Sequence, residues 1–292
     1  MAVHYPADYE VFALVCIDDV ECTPVDKSIV QYVNDKLGDR YIQQYGEFIA
    51  TAEDDKTLYA MRDLEQFIGR EITWVRGDSF DTIINRKHER VLLGNKHRLP
   101  SWARRYCTEQ MKIQPIFEWW FQNVGQKVQM RIGFRFDEFY RVENFYNSNP
   151  TVYRSPVSCS TVGTKRQKLE DFVWRTISLP LVQKGVTNEL VCSYWDNNGI
   201  IDNGLFGQYK IEFPEISNCI GCFHKKPETL AYQFGVHPSK MNWFAKQETK
   251  GMGTWLDSRV TYQSIGIHAE KNPFLLEMQK VATSCDSGSC TD

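Results

Sequence analysis

No apolar run in the sequence approaches the roughly 20 residues that a bilayer-spanning helix needs, so no membrane segment is expected. The opening, MAVHYPADYE, has no basic stretch followed by an apolar one, and no secretory leader is visible. A glycine-rich phosphate loop is missing too: KGMGTW (250–255) fits neither the Walker pattern nor the dinucleotide fingerprint. No Ser-His-Asp order, zinc-protease helix, internal repeat or low-complexity tract stands out. The net charge of −3 excludes a protein that is basic throughout, so any anion site must be a local patch. With 42% hydrophobic and 24% charged residues, the composition is that of an ordinary soluble globular protein. The 292 residues suffice for one large domain or two smaller ones.

Cysteine, by contrast, is plentiful. Nine of them, an odd count at uneven spacing, argue against a secreted disulfide framework and point to a cytoplasmic chain. Cys16 in VFALVCI and Cys192 in ELVCSYW read as small buried hydrophobes. Cys219 and Cys222, in ISNCIGCFHKKPETL (216–230), are compatible with half a zinc site, half an iron–sulfur site or a redox dithiol. The dithiol reading is the weakest, since no thioredoxin-like strand-to-helix context precedes the pair. Two cysteines cannot close a four-coordinate site, so partners are sought in Cys107, Cys285, Cys290 and His224, with His224 better suited to a supporting role. The tail CDSGSC is too polar to need its thiols for packing.

Hydrophobic patterning predicts an α/β chain. EVFALVCI (10–17) reads as a strand buried on both faces. In the segment that follows, Thr23 can cap a helix, Pro24 suits its first turn and Gly38 can close it. A helix over about 54–68 places Leu58, Met61, Leu64 and Ile68 on one face. Strands follow at 71–77 and 125–136, separated by a helix around IFEWWFQN. This alternation predicts a parallel sheet with right-handed crossovers over 1–145. Residues 146–292 form a second part: a loop-like excursion beginning near 142, a strand and helix through FVWRTISLPLVQKGVTNEL, then a mostly helical remainder.

Two segments concentrate charge. NKHRLPSWARRYCTEQMKIQP (95–115) sets Lys96, His97, Arg98, Arg104, Arg105 and Lys112 around Cys107. Such density suits phosphate or sulfate and would lower the pKa of a nearby thiol; the alternative is a solvated basic face with Cys107 merely buried. RIGFRFDEFYR (131–141) places Gly133 at a strand end, with Arg135, Glu138 and Arg141 converging beyond it, where open α/β sheets bind ligands. The alternative there is a surface salt-bridge cluster.

Together these segments resemble the phosphoadenosine phosphosulfate (PAPS) reductase family of the adenine nucleotide alpha hydrolase superfamily. RYCTEQMKIQP resembles its cysteine segment and IGFRFDEFYR its G-x-R-x-x-E-x-x-x-R element. ISLPLVQKGVTNELVCSYWDNNGI is similar to its Pro-Leu segment, and ISNCIGC to its later cysteine pair, in the family's order. The C-terminal texture is similar to small phage- and prophage-borne members, which would place the protein in a host cytoplasm. The resemblance implies a doubly wound, mainly parallel sheet with a C-terminal, mostly helical, cysteine-containing region. It implies an adenine nucleotide (PAPS, APS or ATP-like) held by Arg104, Arg105, Lys112, Gly133, Arg135, Glu138 and Arg141. It also implies an iron–sulfur cluster of the 4Fe-4S type, with zinc as the alternative, on Cys107, Cys219, Cys222 and either Cys285 or Cys290. Adjacent cysteines occupy the first ligand position in cluster-bearing reductases, whereas Thr108 follows Cys107 here. A thioredoxin-type protein would be the electron donor, and sulfur transfer to nucleic acid is a related activity. The family's opening strand and Ser-Gly-Gly phosphate loop have no counterpart in this sequence, which removes the main phosphate cradle. Ordinary nucleotide cleavage is therefore not expected, and a degenerate nucleotide-binding or interaction protein with a structural metal is the alternative.

Overall fold

The apolar run at 10–17 divides into two strands, β1 (Glu10–Leu14) and β2 (Cys16–Ile17), in a computed structural model of the chain. The structure describes residues 7–92, 99–101, 105–156, 169–202, 207–216, 219–256 and 260–272. The strand divides because Val15 turns its carbonyl to the neighbouring segment, accepting from Ala52 N–H at 2.9 Å and Thr51 Oγ1 at 3.0 Å. A 3-10 turn over Val20–Cys22 then ends on Thr23, so Thr23 does not cap the helix as expected. Asp26 caps instead: its carboxylate accepts from Ser28 N–H at 2.8 Å and starts α1 (Lys27–Tyr45). Gly38 closes the first half of α1 at φ 71°, as its sequence position predicts, and a second helical stretch continues beyond it.

β3 (Ala50–Thr51) pairs antiparallel with β2, and α2 (Lys56–Ile68) follows. As expected, α2 buries Leu58, with Met61, Leu64 and Ile68 packed against the same cluster of Leu14, Val33 and Trp74. β4 (Ile72–Arg76) runs parallel to β1, with Glu10 opposite Ile72 and Leu14 opposite Arg76. α3 (Phe80–Leu92) comes next. The cysteine-bearing segment is helical throughout: α4 (Tyr106–Thr108), a π turn over Glu109–Ile113, and α5 (Gln114–Asn123). Gly77 sets its position. A β-carbon there would lie 2.7 Å from the Gln110 carbonyl oxygen and 2.9 Å from Pro115 Cγ. Only a glycine lets the π turn lie against the carboxyl end of β4.

β5 (Val128–Arg131) is shorter than the strand expected over 125–136 and is followed by α6 (Phe139–Asn147). Within the excursion expected from 142, β6 (Val152–Pro156) pairs antiparallel with β7 (Leu169–Val173). β8 (Arg175–Ser178) runs parallel to β5, with Val128 opposite Arg175 and Arg131 opposite Ser178. Next come α7 (Pro180–Gln183), α8 (Asn188–Asn198) and the antiparallel strands β9 (Ile200–Asp202) and β10 (Gln208–Lys210). The remainder is helical: α9 (Pro227–Val236), α10 (Pro238–Gln247), a π turn over Glu248–Met252, and α11 (Tyr262–Lys271). The chain is therefore α/β. Its described strands form five two-stranded sheets, of which β1–β4 and β5–β8 are parallel. No described helix is long and apolar enough to cross a membrane.

The largest core cluster joins distant parts of the chain. Val15, Ile17, Phe80, Ile83, Ile84 and Met111 pack with Ile220, Phe223, Trp243, Phe244, Trp255 and Tyr262. The boundary expected near 145 falls between the two sets.

Candidate functional site

That shared core carries the cysteines. Cys107 stands on α4 beside the carboxyl end of β4, and Cys107 and Cys219 both pack against the core cluster from its edge. The turn bearing Cys219 and Cys222 is pinned to both halves of the chain. Ile220 N–H donates to the Ala52 carbonyl at 2.8 Å, and Tyr262 donates its hydroxyl to the Gly221 carbonyl at 3.1 Å. Lys225, 5% exposed, donates from Nζ to the carbonyls of Cys219 at 2.8 Å and Ile220 at 3.2 Å. Gly221 lies so close to the buried Phe244 ring that a β-carbon would overlap it. Gly221→Ala is therefore expected to destabilise the protein by about 1–3 kcal/mol, the usual effect of overpacking a tight core. A thermal melt of the variant checks this.

The three thiols share one electrostatic neighbourhood. Burial pushes Cys107 up to about 11, and the charge of Cys222 adds to the rise. Cys219 is raised further by burial and by Glu53; Lys112 opposes this, while Cys222 and Cys107 reinforce it. Lys112 Nζ reaches Glu53 Oε1 at 2.9 Å. Burial lowers the Lys112 pKa, but Glu53 and the neighbouring Cys219 and Cys222 outweigh it and hold the ammonium charged. The expectation that basic residues would depress the Cys107 pKa is thus corrected. Desolvation of the thiol exceeds the combined pull of Arg105 and Lys112. The His224 ring lies tilted against Phe223 with centroids 4.5 Å apart, and burial, with help from Arg105, lowers its pKa to about 4.

A cation held by cysteines takes them as thiolates. Among the described residues, no three His, Cys, Asp or Glu side chains converge closely enough for a single metal ion. A zinc tetrahedron would require sulfurs about 3.8 Å apart, given its bond length. A cubane cluster spreads its ligands wider, so it suits a looser arrangement better. The remaining candidate ligands, Cys285 and Cys290, lie outside the described residues, as do Lys96, His97, Arg98 and Arg104. Cys16 and Cys22 are buried, with pKa values raised to about 12 by desolvation. Cys192 is exposed, which corrects the buried reading: α8 turns that face outward.

The other two segments of the resemblance also meet. Beyond the carboxyl ends of β5 and β8, Phe136 N–H donates to the Val186 carbonyl at 2.8 Å and Asn188 N–H to Asp137 at 3.2 Å. Phe134 packs with Leu179 and Phe145 beneath them. Gly133 lies in the turn leaving β5, and Glu138 is the hub of the cluster. It accepts the Arg135 N–H at 2.8 Å and Arg141 Nη1 at 2.6 Å, and lies 3.5 Å from Arg135 Nη2. Arg135 Nε also reaches Asp137 at 3.3 Å, and Arg141 covers the Phe134 ring at 4.5 Å. Both arginines lie where the sequence pattern puts them, and both are already paired with carboxylates.

Several residues at these sites escaped the sequence reading. Glu53, Asp54 and Asp55 form an acidic turn after β3, and Asp55 accepts from the buried Lys240 at 2.7 Å. The run EDDK directly after a short apolar strand was the available signal. Arg105, Tyr106, Glu109, Tyr153, Arg154 and Arg175 line a cleft of about 570 Å³ bordered by α4 itself. There the signal was an arginine inside the apolar stretch FVWRTIS. Comparison with protein-family models, curated proteins and solved structures finds no match for this chain.

Proposed function

We propose that this is a PAPS reductase-like protein that binds an adenine nucleotide and carries a cysteine-ligated iron–sulfur cluster. The observation that carries the reading is the meeting of Cys107 with Cys219 and Cys222, from segments far apart in the chain, in one partly buried patch. Cys107, Cys219 and Cys222 would be three ligands, and Cys285 or Cys290 the fourth. In this reading the parallel pairs β1–β4 and β5–β8 belong to one doubly wound sheet, with the nucleotide beyond its carboxyl ends. Bound there, the cluster would supply electrons or sulfur to the nucleotide's sulfur chemistry. The chain's own residues would do the rest. Lys112 and Lys225 offset the negative charge of the thiolates, and the Ile220, Gly221 and Lys225 contacts fix the ligand turn. Arg135 and Arg141 hold the nucleotide's anionic groups by exchanging Glu138 for phosphate or sulfate.

The test is anaerobic purification followed by iron and acid-labile sulfide analysis, with adenine nucleotide binding measured by calorimetry. A brown protein with matching iron and sulfide, binding the nucleotide, is expected. A colourless protein with stoichiometric zinc would overturn the cluster. The second reading, a degenerate interaction protein with a structural metal, is favoured by the pairing of Arg135 and Arg141 with Glu138. It predicts bound metal with no nucleotide heat.

A further inference from the structure

Arg175 is the first residue of β8 and only 8% exposed. Its Nε donates to the Pro150 carbonyl at 2.6 Å and its Nη1 to Met130 Sδ at 2.9 Å, while the guanidinium lies 4.6 Å from the Trp174 ring centroid. These partners are neutral, and no carboxylate of the described residues forms an ion pair with it. Desolvation, unopposed by any neighbouring charge, lowers its pKa to about 10. A buried cation without a counter-ion is costly, so proteins keep one where a ligand's charge completes the pair. Arg175 borders the cleft of about 570 Å³ introduced above, a volume within the range of small-molecule sites. Arg105 and Arg154 share its lining, with Glu109 as the one carboxylate among the described lining residues; Arg154 pairs with exposed Asp171 at 3.2 Å. Tyr106, Tyr153 and Phe145 supply aromatic walls.

The cleft's place in the fold separates it from the Arg135 and Arg141 cluster. Arg175 pairs with Val128 at the amino end of the β5–β8 ladder, whereas Gly133 and Arg135 lie beyond its carboxyl end. Four residues of strand set the two at least about 10 Å apart. We propose that this amino-end cleft binds a phosphate-bearing aromatic compound of nucleotide size, whose anionic group is the counter-ion of Arg175 and whose ring packs on Tyr106 and Tyr153. The source is either a free nucleotide or a nucleotide unit of a single strand; the chemistry is shared. The site does not depend on the metal, because no cysteine is among the described residues that line the cleft.

Calorimetry with inorganic phosphate, 5′-AMP and a short single-stranded oligonucleotide tests it. The wild type is expected to bind AMP more tightly than phosphate, because the ring adds contacts. Arg175→Met should weaken both by about tenfold or more, the worth of one charge-assisted hydrogen bond. Lys210→Gln on β10, which breaks only an exposed ion pair with Asp196, should leave both unchanged. Tighter binding of the oligonucleotide than of AMP would assign the source to a strand, and weaker binding to the free nucleotide. If Arg175→Met does not fold, the exposed variant Arg154→Gln replaces it, with weaker binding and a shallower salt dependence expected. Absence of binding by the wild type would overturn the proposal. So would unchanged AMP binding in a folded Arg175→Met, which would leave the carboxyl-end nucleotide reading intact.

Discussion

Replacing Cys219 and Cys222 together by serine is expected to remove the iron and the visible absorbance of the anaerobically purified protein completely. Serine keeps the size of the side chain but offers a hard, protonated hydroxyl where soft iron–sulfur chemistry needs a thiolate. The loss would be one of ligation more than of folding, because the hydrogen bonds described for the turn involve no sulfur atom. The Ile220 N–H bond to Ala52, the Lys225 bonds and the Tyr262 bond to Gly221 all use backbone groups of the turn. Circular dichroism should therefore be unchanged while the colour disappears. Cys192→Ser, at an exposed position on α8, serves as the control and should keep its full iron content. Unaltered iron in the double variant would show that these cysteines are not ligands.

Trp255→Ala is expected to have the largest effect on stability, about 3–5 kcal/mol, as for other large-to-small changes at buried aromatics. The indole is 0% exposed and packs against Phe80 at 5.9 Å, Phe244 at 5.2 Å and Tyr262 at 6.1 Å. Its Nε1 also donates to the Phe244 carbonyl at 2.8 Å, so truncation leaves both a void and an unpaired buried acceptor. The melting temperature should fall by on the order of 10 °C. Trp255→Phe, which fills most of the space, should lose less. The effect should reach the cysteines as well, since Phe244 supports Gly221 and Tyr262 anchors its carbonyl. Reduced metal content in Trp255→Ala, restored in Trp255→Phe, would mark this path.

Local patterning made parts of this legible in the sequence. α2 was readable because its apolar residues recur at helical spacing, and Gly38 because only a left-handed residue ends a helical stretch so readily. The approach of residue 107 to 219–222 was not readable from spacing, since spacing along the chain carries no distance in space. Electrostatic sign was the least legible feature. Six cationic side chains near Cys107 in sequence implied a depressed thiol, yet the burial of that side chain decides the direction. Charge can be counted in a sequence, whereas desolvation depends on what packs from elsewhere. Arg175 shows the same limit, because its lack of a counter-ion among the described residues exists only once β8 is in place.

The joint core has a further consequence during synthesis. Phe80, Ile83, Ile84 and Met111 leave the ribosome well before Trp243, Phe244, Trp255 and Tyr262, which cover them in the native protein. Until α10 and α11 follow, the emerging chain presents an uncovered apolar face, the kind of surface that chaperones bind and that self-associates when they do not. Contacts between such distant residues also demand closure of a long loop, which slows folding. Completion of the fold therefore waits for the last third of the polypeptide. A ribosome stalled before residue 240 should hold a nascent chain that a protease digests readily, and one stalled well past 272 a chain that resists it.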